Sequence, residues 1–273
     1  MQSIQNNEQN MKSSVYNQCP VCGGSGREII RKACPEVYGN NTLLEYAVPC
    51  TSCNGAIERR SVEARNRANI PVSFYDKYME DFDRNIYAQQ DGTYIDITKQ
   101  MLAVDSFIND FVKWDDEGLG LYICSGTKGS GKTFLASCIC NSLIKRYPIN
   151  TRFVSAPNLL NLSKQSDGSG NYSTDPIALL CNCKLLVIDD LGQKNCGLEW
   201  MNDVLFRIID SRYQQKLVTI YTSNVRVGNL ELDDRIVDRI NGTTLQVSLP
   251  EFCVRTKEAN EKKKSFLEEL GII

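Results

Sequence analysis

The sequence predicts an α/β protein, in which helices cover both faces of a parallel sheet and a small cysteine-rich domain precedes the sheet. From about Thr98 onward, short apolar stretches alternate with amphipathic stretches of helical period. A glycine-rich loop joins one apolar stretch directly to a helix, and two Cys-x-x-Cys pairs lie in a turn-rich segment near the N-terminus. Alternating strands and helices are typical of parallel sheets, because each parallel connection has to cross back over the sheet.

The elements follow in a regular order. Residues 57–70 predict a helix with a basic face, which Pro71 ends, and the aromatic residues of 71–82 are expected to dock on the next domain. The strands predicted after this segment are LGLYICSG, TRFVSA, CKLLVIDDLG, LVTIYTSN and TTLQVSL. The predicted helices are ITKQMLAVDSFINDFVKW, KTFLASCICNSLIKRY, PNLLNLSKQ, GLEWMNDVLFRIIDSRYQQ, DDRIVDRING and RTKEANEKKKSFLEEL.

Composition suggests three parts. Residues 1–18 are rich in Asn, Gln and Ser, which predicts a disordered tail. Residues 19–68 form the cysteine-rich N-terminal domain, and residues 69–273 form the α/β domain. The polar N-terminus has no apolar core typical of a secretory signal, and no segment has the roughly 20 apolar residues that span a bilayer. We therefore expect a cytoplasmic protein without membrane contact.

Net charge and composition limit how this protein could bind nucleic acid and catalyse hydrolysis. The net charge is −2, so nucleic-acid binding would depend on local basic patches. The chain has 12 cysteines and no histidine. In the cytoplasm, many cysteines indicate metal ligation or apolar packing more often than disulfides. The absence of histidine means that hydrolysis would have to use carboxylates or a metal ion.

The loop GTKGSGKT, residues 126–133, matches the phosphate-binding pattern G-x-x-x-x-G-K-[ST] in full. Its small residues let backbone N–H groups converge on phosphate oxygens, and the helix that follows adds its positive end. Lys132 is expected to reach the β and γ phosphates, and Thr133 to offer its hydroxyl to Mg²⁺. A chance glycine loop is the alternative, and the flanking strand and helix argue against it. The predicted nucleotide-binding residues of the loop are Gly126, Gly129, Ser130, Gly131, Lys132 and Thr133.

Polar residues end two later strands. LLVIDD, residues 185–190, places Asp189 for the Mg²⁺ shell and Asp190 for polarising an attacking water. TIYTSN, residues 219–224, ends in Asn224, whose amide can bind that water and sense the γ-phosphate. Taken alone, each motif is also an ordinary strand-to-turn transition. No Asn-Lys-x-Asp motif for guanine is present, which favours ATP over GTP.

RIVDRI, residues 235–240, carries two arginines at positions i and i+4, on one helical face. An arginine at a subunit boundary can complete a neighbour's active site and stabilise transition-state charge. Arg235 and Arg239 would equally well pair with Asp233, Asp234 or Asp238 on a solvated helix. The sequence leaves both interpretations open.

Two Cys-x-x-Cys pairs predict a structural zinc site. Cys19, Cys22, Cys50 and Cys53 have the spacing of a tetrahedral four-cysteine centre, and a segment with so few apolar residues needs such a link to fold. Cys34 is a spare cysteine, for which a buried thiol and a substitute ligand are both open. The remaining cysteines lie mostly in apolar stretches, which favours packing in the core.

With these motifs, residues 57–256 resemble the AAA+ helicase loaders of the DnaC/IstB type, including DnaI-like versions. The resemblance depends on ARNRANIPVSFYDKYMEDF, GTKGSGKTFLAS, LLVIDDLG, IIDSRY with TIYTSN, and RIVDRI. It implies an AAA+ ATPase in which Lys132 and Thr133 bind nucleotide and Mg²⁺, and Asp189 and Asp190 form the acidic motif. It further implies that Asn224 is the first sensor, Arg239 the arginine finger with Arg235 nearby, and Arg255 the second sensor.

Two positions depart from the family's pattern. Asp190 stands where many AAA+ proteins have glutamate, which implies slow, switch-like hydrolysis. The residues before Arg255, Cys-Val, match the second-sensor motif only loosely.

The resemblance also implies partners. The zinc domain would engage a hexameric replicative helicase, and subunits that associate through an arginine finger in trans would assemble on single-stranded DNA. Arg152, Phe153 and Lys164 are candidates for DNA contact, although two surface cations and a core phenylalanine are the simpler interpretation. The alternative functions are an ATP-dependent helper of a DNA transposase and a zinc-containing adaptor whose nucleotide site is only structural.

Overall fold

The computed structural model describes residues 19–23, 27–33, 43–53, 64, 68–87, 94–147, 149–165, 175–192 and 199–269. The predicted tail 1–18, most of the predicted helix 57–70 and Cys34 lie outside these residues. Within them, no helix is both long enough and apolar enough to cross a membrane.

An antiparallel hairpin forms the N-terminal part. Strands β1 (Arg27–Ala33) and β2 (Leu43–Pro49) pair from Arg27 opposite Pro49 to Ala33 opposite Leu43. The sequence predicted no strand here, because the segment is rich in turn residues and its only clear pattern is the four cysteines. The first Cys-x-x-Cys pair precedes β1 and the second follows β2, so the antiparallel register brings the two pairs to the same end of the hairpin.

A five-stranded parallel sheet forms the centre of the second part, as predicted. Its strands are β3 (Gly120–Cys124), β4 (Thr151–Ser155), β5 (Leu185–Leu191), β6 (Val218–Ser223) and β7 (Thr244–Ser248). Their order across the sheet is β4-β5-β6-β3-β7, and every neighbouring pair is parallel. The carboxyl ends of β5, β6 and β3 therefore lie side by side, and all three lead into predicted site residues.

Helices cover both faces of this sheet. In chain order they are α1 (Thr98–Asn109), α2 (Phe111–Glu117), α3 (Lys132–Arg146), α4 (Leu159–Gln165), α5 (Pro176–Asn182), α6 (Glu199–Gln214), α7 (Asp234–Thr243) and α8 (Val254–Glu269). Leu121 and Ile123 of β3 face the core that α1 and α3 complete, whereas Tyr122 and Cys124 face the core of α5, α6 and α7. The alternation follows from the two-residue period of a strand.

Two helices differ from the prediction. The stretch predicted as one helix from Ile97 to Trp114 is divided at Asp110, whose backbone (φ −112°, ψ 30°) leaves the helical region. A polar Asn109-Asp110 step favours such a break, since short polar side chains compete for backbone hydrogen bonds. Helix α5 was not predicted. Asp175 caps it by accepting the N–H of Ile177, and Pro176 occupies its first turn.

Arg212, in the IIDSRY stretch of α6, has a structural role. Its side chain is 1% exposed and donates to the Thr219 hydroxyl and to the carbonyl oxygens of Leu180, Cys183 and Val218. The guanidinium thereby ties α6 to the end of α5 and the start of β6. Replacing it would leave several buried carbonyl groups without a donor.

Candidate nucleotide site and cysteine cluster

The phosphate loop follows β3, which lies between β6 and the edge strand β7, and α3 begins within the loop at Lys132. Gly129 and Gly131 have φ angles of 76° and 93°, in the left-handed region where glycine has no steric penalty. This backbone turns the loop around the N-terminus of α3. The predicted loop geometry is therefore present, with the first N–H groups of α3 available for an anion.

Lys132 is buried inside the loop. Its ammonium donates to the carbonyl oxygens of Ser125 (3.2 Å) and Thr127 (3.0 Å) and to the Ser130 hydroxyl (3.2 Å). Burial lowers the pKa of Lys132, and the nearby carboxylates, Asp190 first among them, act in the opposite direction. The cation is therefore held by neutral oxygens that a phosphate can replace.

A β-bulge directs the acidic residues of β5. The β5–β6 pairing shifts register between Ile188 and Leu191, and Asp190 has a φ of 58°, which is rare for a residue other than glycine. The Asp189 carboxylate then accepts the Thr133 hydroxyl at 2.9 Å. A hydroxyl and a carboxylate in contact are the oxygen ligands that Mg²⁺ prefers, so Thr133 and Asp189 fit the predicted metal role.

Thr222, in β6, holds both carboxylate residues. Its hydroxyl donates to Asp189 Oδ1 at 2.5 Å and accepts the backbone N–H of Asp190 at 2.9 Å. Burial raises the pKa of Asp189, and the Thr222 hydrogen bond partly offsets this increase. The role of Thr222 was not predicted from the sequence. The only available signal was its place next to Ser223 and Asn224 at the end of a buried strand.

The predicted residues of three strands meet around one cavity of about 750 Å³. Asp189, Asp190 and Asn224 line it together with the loop from Lys128 to Thr133. Arg255 of α8 also lines it, and its backbone N–H donates to the Gly129 carbonyl at 3.2 Å. This cavity brings together all the predicted nucleotide residues except Gly126, which lies at the start of the loop.

The aromatic segment before α1 forms the other wall of the cavity. Phe74 and Phe82 pack against Phe134 of α3, with ring centroids 5.3 Å and 6.1 Å apart. The Tyr87 hydroxyl donates to the Ser130 carbonyl at 2.8 Å, which supports the phosphate loop from that side. The predicted docking of this segment is thus present, whereas the role of Tyr87 was not predicted.

The two arginines of α7 lie outside the residues that line this cavity. Arg239 forms an ion pair with Asp210 of α6 at 2.7 Å, and its guanidinium lies 4.9 Å from the Phe206 ring centroid. Arg235 pairs with Asp233 at 2.9 Å and stacks over the same ring at 4.5 Å. Of the pairings considered from sequence, the structure contains that of Arg235 with Asp233. Arg239 instead pairs across to α6.

The candidate DNA residues lie on two elements, β4 and α4. Phe153 is 6% exposed and belongs to the core, so its ring is not available for stacking on a base. Arg152 lies beside it in β4, and Lys164 is exposed in the last turn of α4. The simpler interpretation of Phe153, as a core residue, is confirmed.

The four predicted zinc ligands form one cluster. The sulfur atoms of Cys19, Cys22, Cys50 and Cys53 all lie within 4.8 Å of one another. Cys19 Sγ is 3.6 Å from Cys50 Sγ, and the same distance separates Cys22 Sγ from Cys53 Sγ. Tetrahedral Zn²⁺ with Zn–S bonds of about 2.3 Å requires sulfurs about 3.8 Å apart. The cluster therefore has the dimensions of a zinc site.

Local hydrogen bonds shape the cluster. The backbone N–H of Cys22 is the main cause that lowers the pKa of the Cys19 thiol to about 6, while burial raises the pKa of Cys50 to about 12. Glu28 of β1 accepts the backbone N–H of Thr51 at 2.6 Å, which ties the second Cys-x-x-Cys pair to the hairpin. A metal ion that binds four thiols displaces the protons that they still carry, so binding at this cluster would depend on pH.

Comparisons with known proteins agree with this geometry. Residues 58–261 match the family model described as IstB-like ATP binding protein. The replicative helicase loader DnaC of Escherichia coli strain K12 is 27% identical over 198 residues, which is 71% of this chain and 79% of DnaC. The replicative helicase loader DnaI of Bacillus subtilis strain 168 is also 27% identical, over 70% of this chain and 63% of DnaI.

Solved structures show the same fold. The DnaC helicase loader has a TM-score of 0.54 at 20% identity, covering 66% of this chain and 99% of that structure. The DnaI crystal structure has a TM-score of 0.53 at 24% identity, covering 69% of this chain and 97% of that structure. The phosphate loop, the acidic bulge and the family match lead to one conclusion: the chain belongs to the IstB-like ATP-binding family of AAA+ proteins and is distantly related to the DnaC and DnaI helicase loaders.

Proposed function

We propose that this protein is an ATP-dependent loader, which binds a replicative DNA helicase through an N-terminal zinc domain and places it on single-stranded DNA. The observation that carries the proposal is the convergence of the phosphate loop, Asp189, Asp190 and Asn224 on one cavity, in a relative of named helicase loaders. The four-cysteine hairpin precedes the matched residues 58–261 and would be the docking module. In this proposal residues 19–68 are the zinc domain and residues 69–273 the ATPase domain.

The roles at the site follow from its contacts. Lys132 leaves its carbonyl partners for the β and γ phosphates. Thr133 and Asp189, whose side-chain oxygens are 2.9 Å apart, would hold Mg²⁺, which would neutralise phosphate charge there. Asp190 orients the attacking water, and Asn224 senses the γ-phosphate. ATP hydrolysis then drives release of the loaded helicase.

Self-association completes the site. Arg239 lies outside its own cavity lining, as expected for a finger that acts on a neighbouring subunit. Its ion pair with Asp210 must open for that purpose. Arg255 contacts the nucleotide that is bound in its own subunit, because it lines the cavity of that subunit.

Light scattering tests the proposal. The purified protein is mixed with the replicative helicase of its source, with ATP and without, beside the Lys132→Ala and Cys19→Ser/Cys22→Ser variants. Cys138→Ala, which removes a buried thiol outside the cluster, is the matched control. We expect a stable complex that the double cysteine variant loses and the control keeps.

Two other outcomes would each indicate a different function. No complex under any nucleotide condition would refute the loader, and the helper of a DNA transposase would become the leading function. A complex with no ATP turnover, even with single-stranded DNA present, would instead indicate the adaptor with a structural nucleotide site.

A further inference from the structure

Glu251, between β7 and α8, contacts the start of the phosphate loop. Its Oε1 accepts the backbone N–H of Gly126 at 2.8 Å, and its Oε2 accepts the Thr127 hydroxyl at 2.8 Å and the Ser125 hydroxyl at 3.4 Å. These hydrogen bonds join residues about 125 positions apart in the chain. None of the roles derived from the motifs uses this carboxylate.

The segment that carries Glu251 contacts the loop at further points. The Ser125 hydroxyl donates to the Pro250 carbonyl at 3.1 Å, and Arg255 N–H donates to the Gly129 carbonyl at 3.2 Å. The Phe252 ring meets the Tyr87 ring edge to face, with centroids 6.2 Å apart. Residues 250–255 therefore contact the phosphate loop region both at Ser125 and at Gly129, and they lead directly into α8.

The absence of a side chain at Gly126 permits this contact. A Cβ atom at residue 126 would lie 3.1 Å and 3.3 Å from the two carboxylate oxygens of Glu251, closer than most Cβ contacts, so the carboxylate would have to move away by a few tenths of an ångström. The glycine thus lets the carboxylate reach the loop backbone. The hydrogen bond from the Gly126 N–H, followed by those from Thr127 and Ser125, holds the pKa of Glu251 below its usual range, so the group is anionic at neutral pH.

We propose that Glu251 is a positioning residue for nucleotide binding. It holds residues 125–127, at the start of the phosphate loop, and transmits phosphate binding to α8 through the segment 250–255. Charge-assisted hydrogen bonds to backbone N–H groups are suited to this, because they fix a loop without blocking the N–H groups that face the phosphates. The inference depends on the nucleotide site proposed above and adds a route from that site to the C-terminal helix.

Calorimetric titration with ADP and Mg²⁺ is the first test. Glu251→Ala should weaken ADP binding about tenfold, because the loop loses its charge-assisted hydrogen bonds. Glu251→Gln keeps an acceptor for Gly126 and should bind within about threefold of wild type. Glu231→Ala, which removes an exposed glutamate outside the cavity lining, is the matched control.

A double-mutant cycle isolates the contact. Gly126→Ala alone pushes against the carboxylate and should weaken ADP binding about tenfold. In the Glu251→Ala background the same change should cost at most about twofold, because the clash is gone. Additive effects would show that the two residues act independently and would overturn the inference.

Hydrogen exchange at saturating ADP tests the transmission. In the wild-type protein, ADP should slow amide exchange both in the loop and in residues 252–258. Glu251→Ala should keep the effect in the loop and lose it in 252–258, whereas Glu251→Gln should keep both.

Besides additivity in the double-mutant cycle, two results would overturn the inference while leaving the nucleotide site intact: an alanine variant that behaves as wild type in both assays, or a glutamine variant as impaired as alanine. Failure of the wild-type protein to bind ADP would refute the nucleotide site together with the inference, and is therefore distinguishable from either.

Discussion

Thr222→Val should damage the acidic motif while leaving the shape of β6 unchanged. Valine has nearly the same volume as threonine but lacks the hydroxyl, which donates to Asp189 and accepts Asp190 N–H. Thr222 is fully buried, so water cannot replace either hydrogen bond. The perturbation is thus confined to two hydrogen bonds.

The expected magnitude follows from these two bonds. Losing a hydrogen bond to a carboxylate costs about 1.5–3 kcal/mol, and leaving a donor unpaired costs about 1–3 kcal/mol. Allowing for relaxation and the added methyl group, we expect a net loss of about 2–4 kcal/mol in the free energy of unfolding, or a decrease in Tm of about 5–10 °C for a domain of this size. The pKa of Asp189 should rise further, because the Thr222 hydrogen bond now lowers it.

Differential scanning calorimetry and a coupled ATPase assay with single-stranded DNA measure both effects. Thr151→Val, in β4, is the matched control, because Thr151 is also fully buried but makes one long hydrogen bond of 3.3 Å, to the Ile149 carbonyl. We expect ATP turnover to fall at least about tenfold in Thr222→Val, because the variant loses one hydrogen bond to the charged Asp189 at the proposed metal site. Turnover should stay near wild type in the control. A Thr222→Val protein that melts and turns over like the control would refute the reasoning.

Three further predictions concern single groups. Asp189→Asn should raise the Tm of the metal-free protein at neutral pH, because asparagine has no charge to bury. Burial raises the pKa of Asp189 in the native state, so the free energy of unfolding of the wild-type protein falls as the pH rises from the unfolded-state pKa through the native-state pKa. The gain should vanish below about pH 4, where both states are protonated; melting curves from pH 4 to 8 with a chelator test this, and an unchanged difference across that range would contradict it. Arg239→Ala should keep ADP binding but lose turnover, and mixing it with Lys132→Ala subunits should restore part of the turnover if the finger acts in trans; a mixture as inactive as its parts would argue against trans action. Cys50→Ser should reduce bound zinc from about one per chain to near zero, since the site needs four ligands. It should leave ADP binding within about twofold, because none of the four cysteines lines the nucleotide cavity. Metal analysis with parallel titrations measures both, and a large loss of ADP affinity would show that the two sites are coupled.

Contiguous motifs were predictable because the physics that shapes them is local. The strand, the glycine loop and Lys132 lie within a dozen or so residues, so their order alone indicated a phosphate site. The carboxyl ends of parallel strands share one edge, which brought Asp189 and Asn224 to that site without knowledge of the register. Spacing likewise indicated the four-cysteine cluster, although not the hairpin between its halves.

The sequence by itself determined the α/β class, the phosphate loop and the residues aimed at it. The tertiary structure alone decided which groups hold those residues in place. Thr222 meets Asp189 across 33 positions, Tyr87 meets Ser130 across 43, and Glu251 meets Gly126 across 125. Arg239 had three acidic neighbours in its own stretch, yet it pairs with Asp210 of α6. Such contacts depend on how strands and helices pack against one another, and a hydroxyl or carboxylate far away in the chain carries no local pattern that reveals its partner.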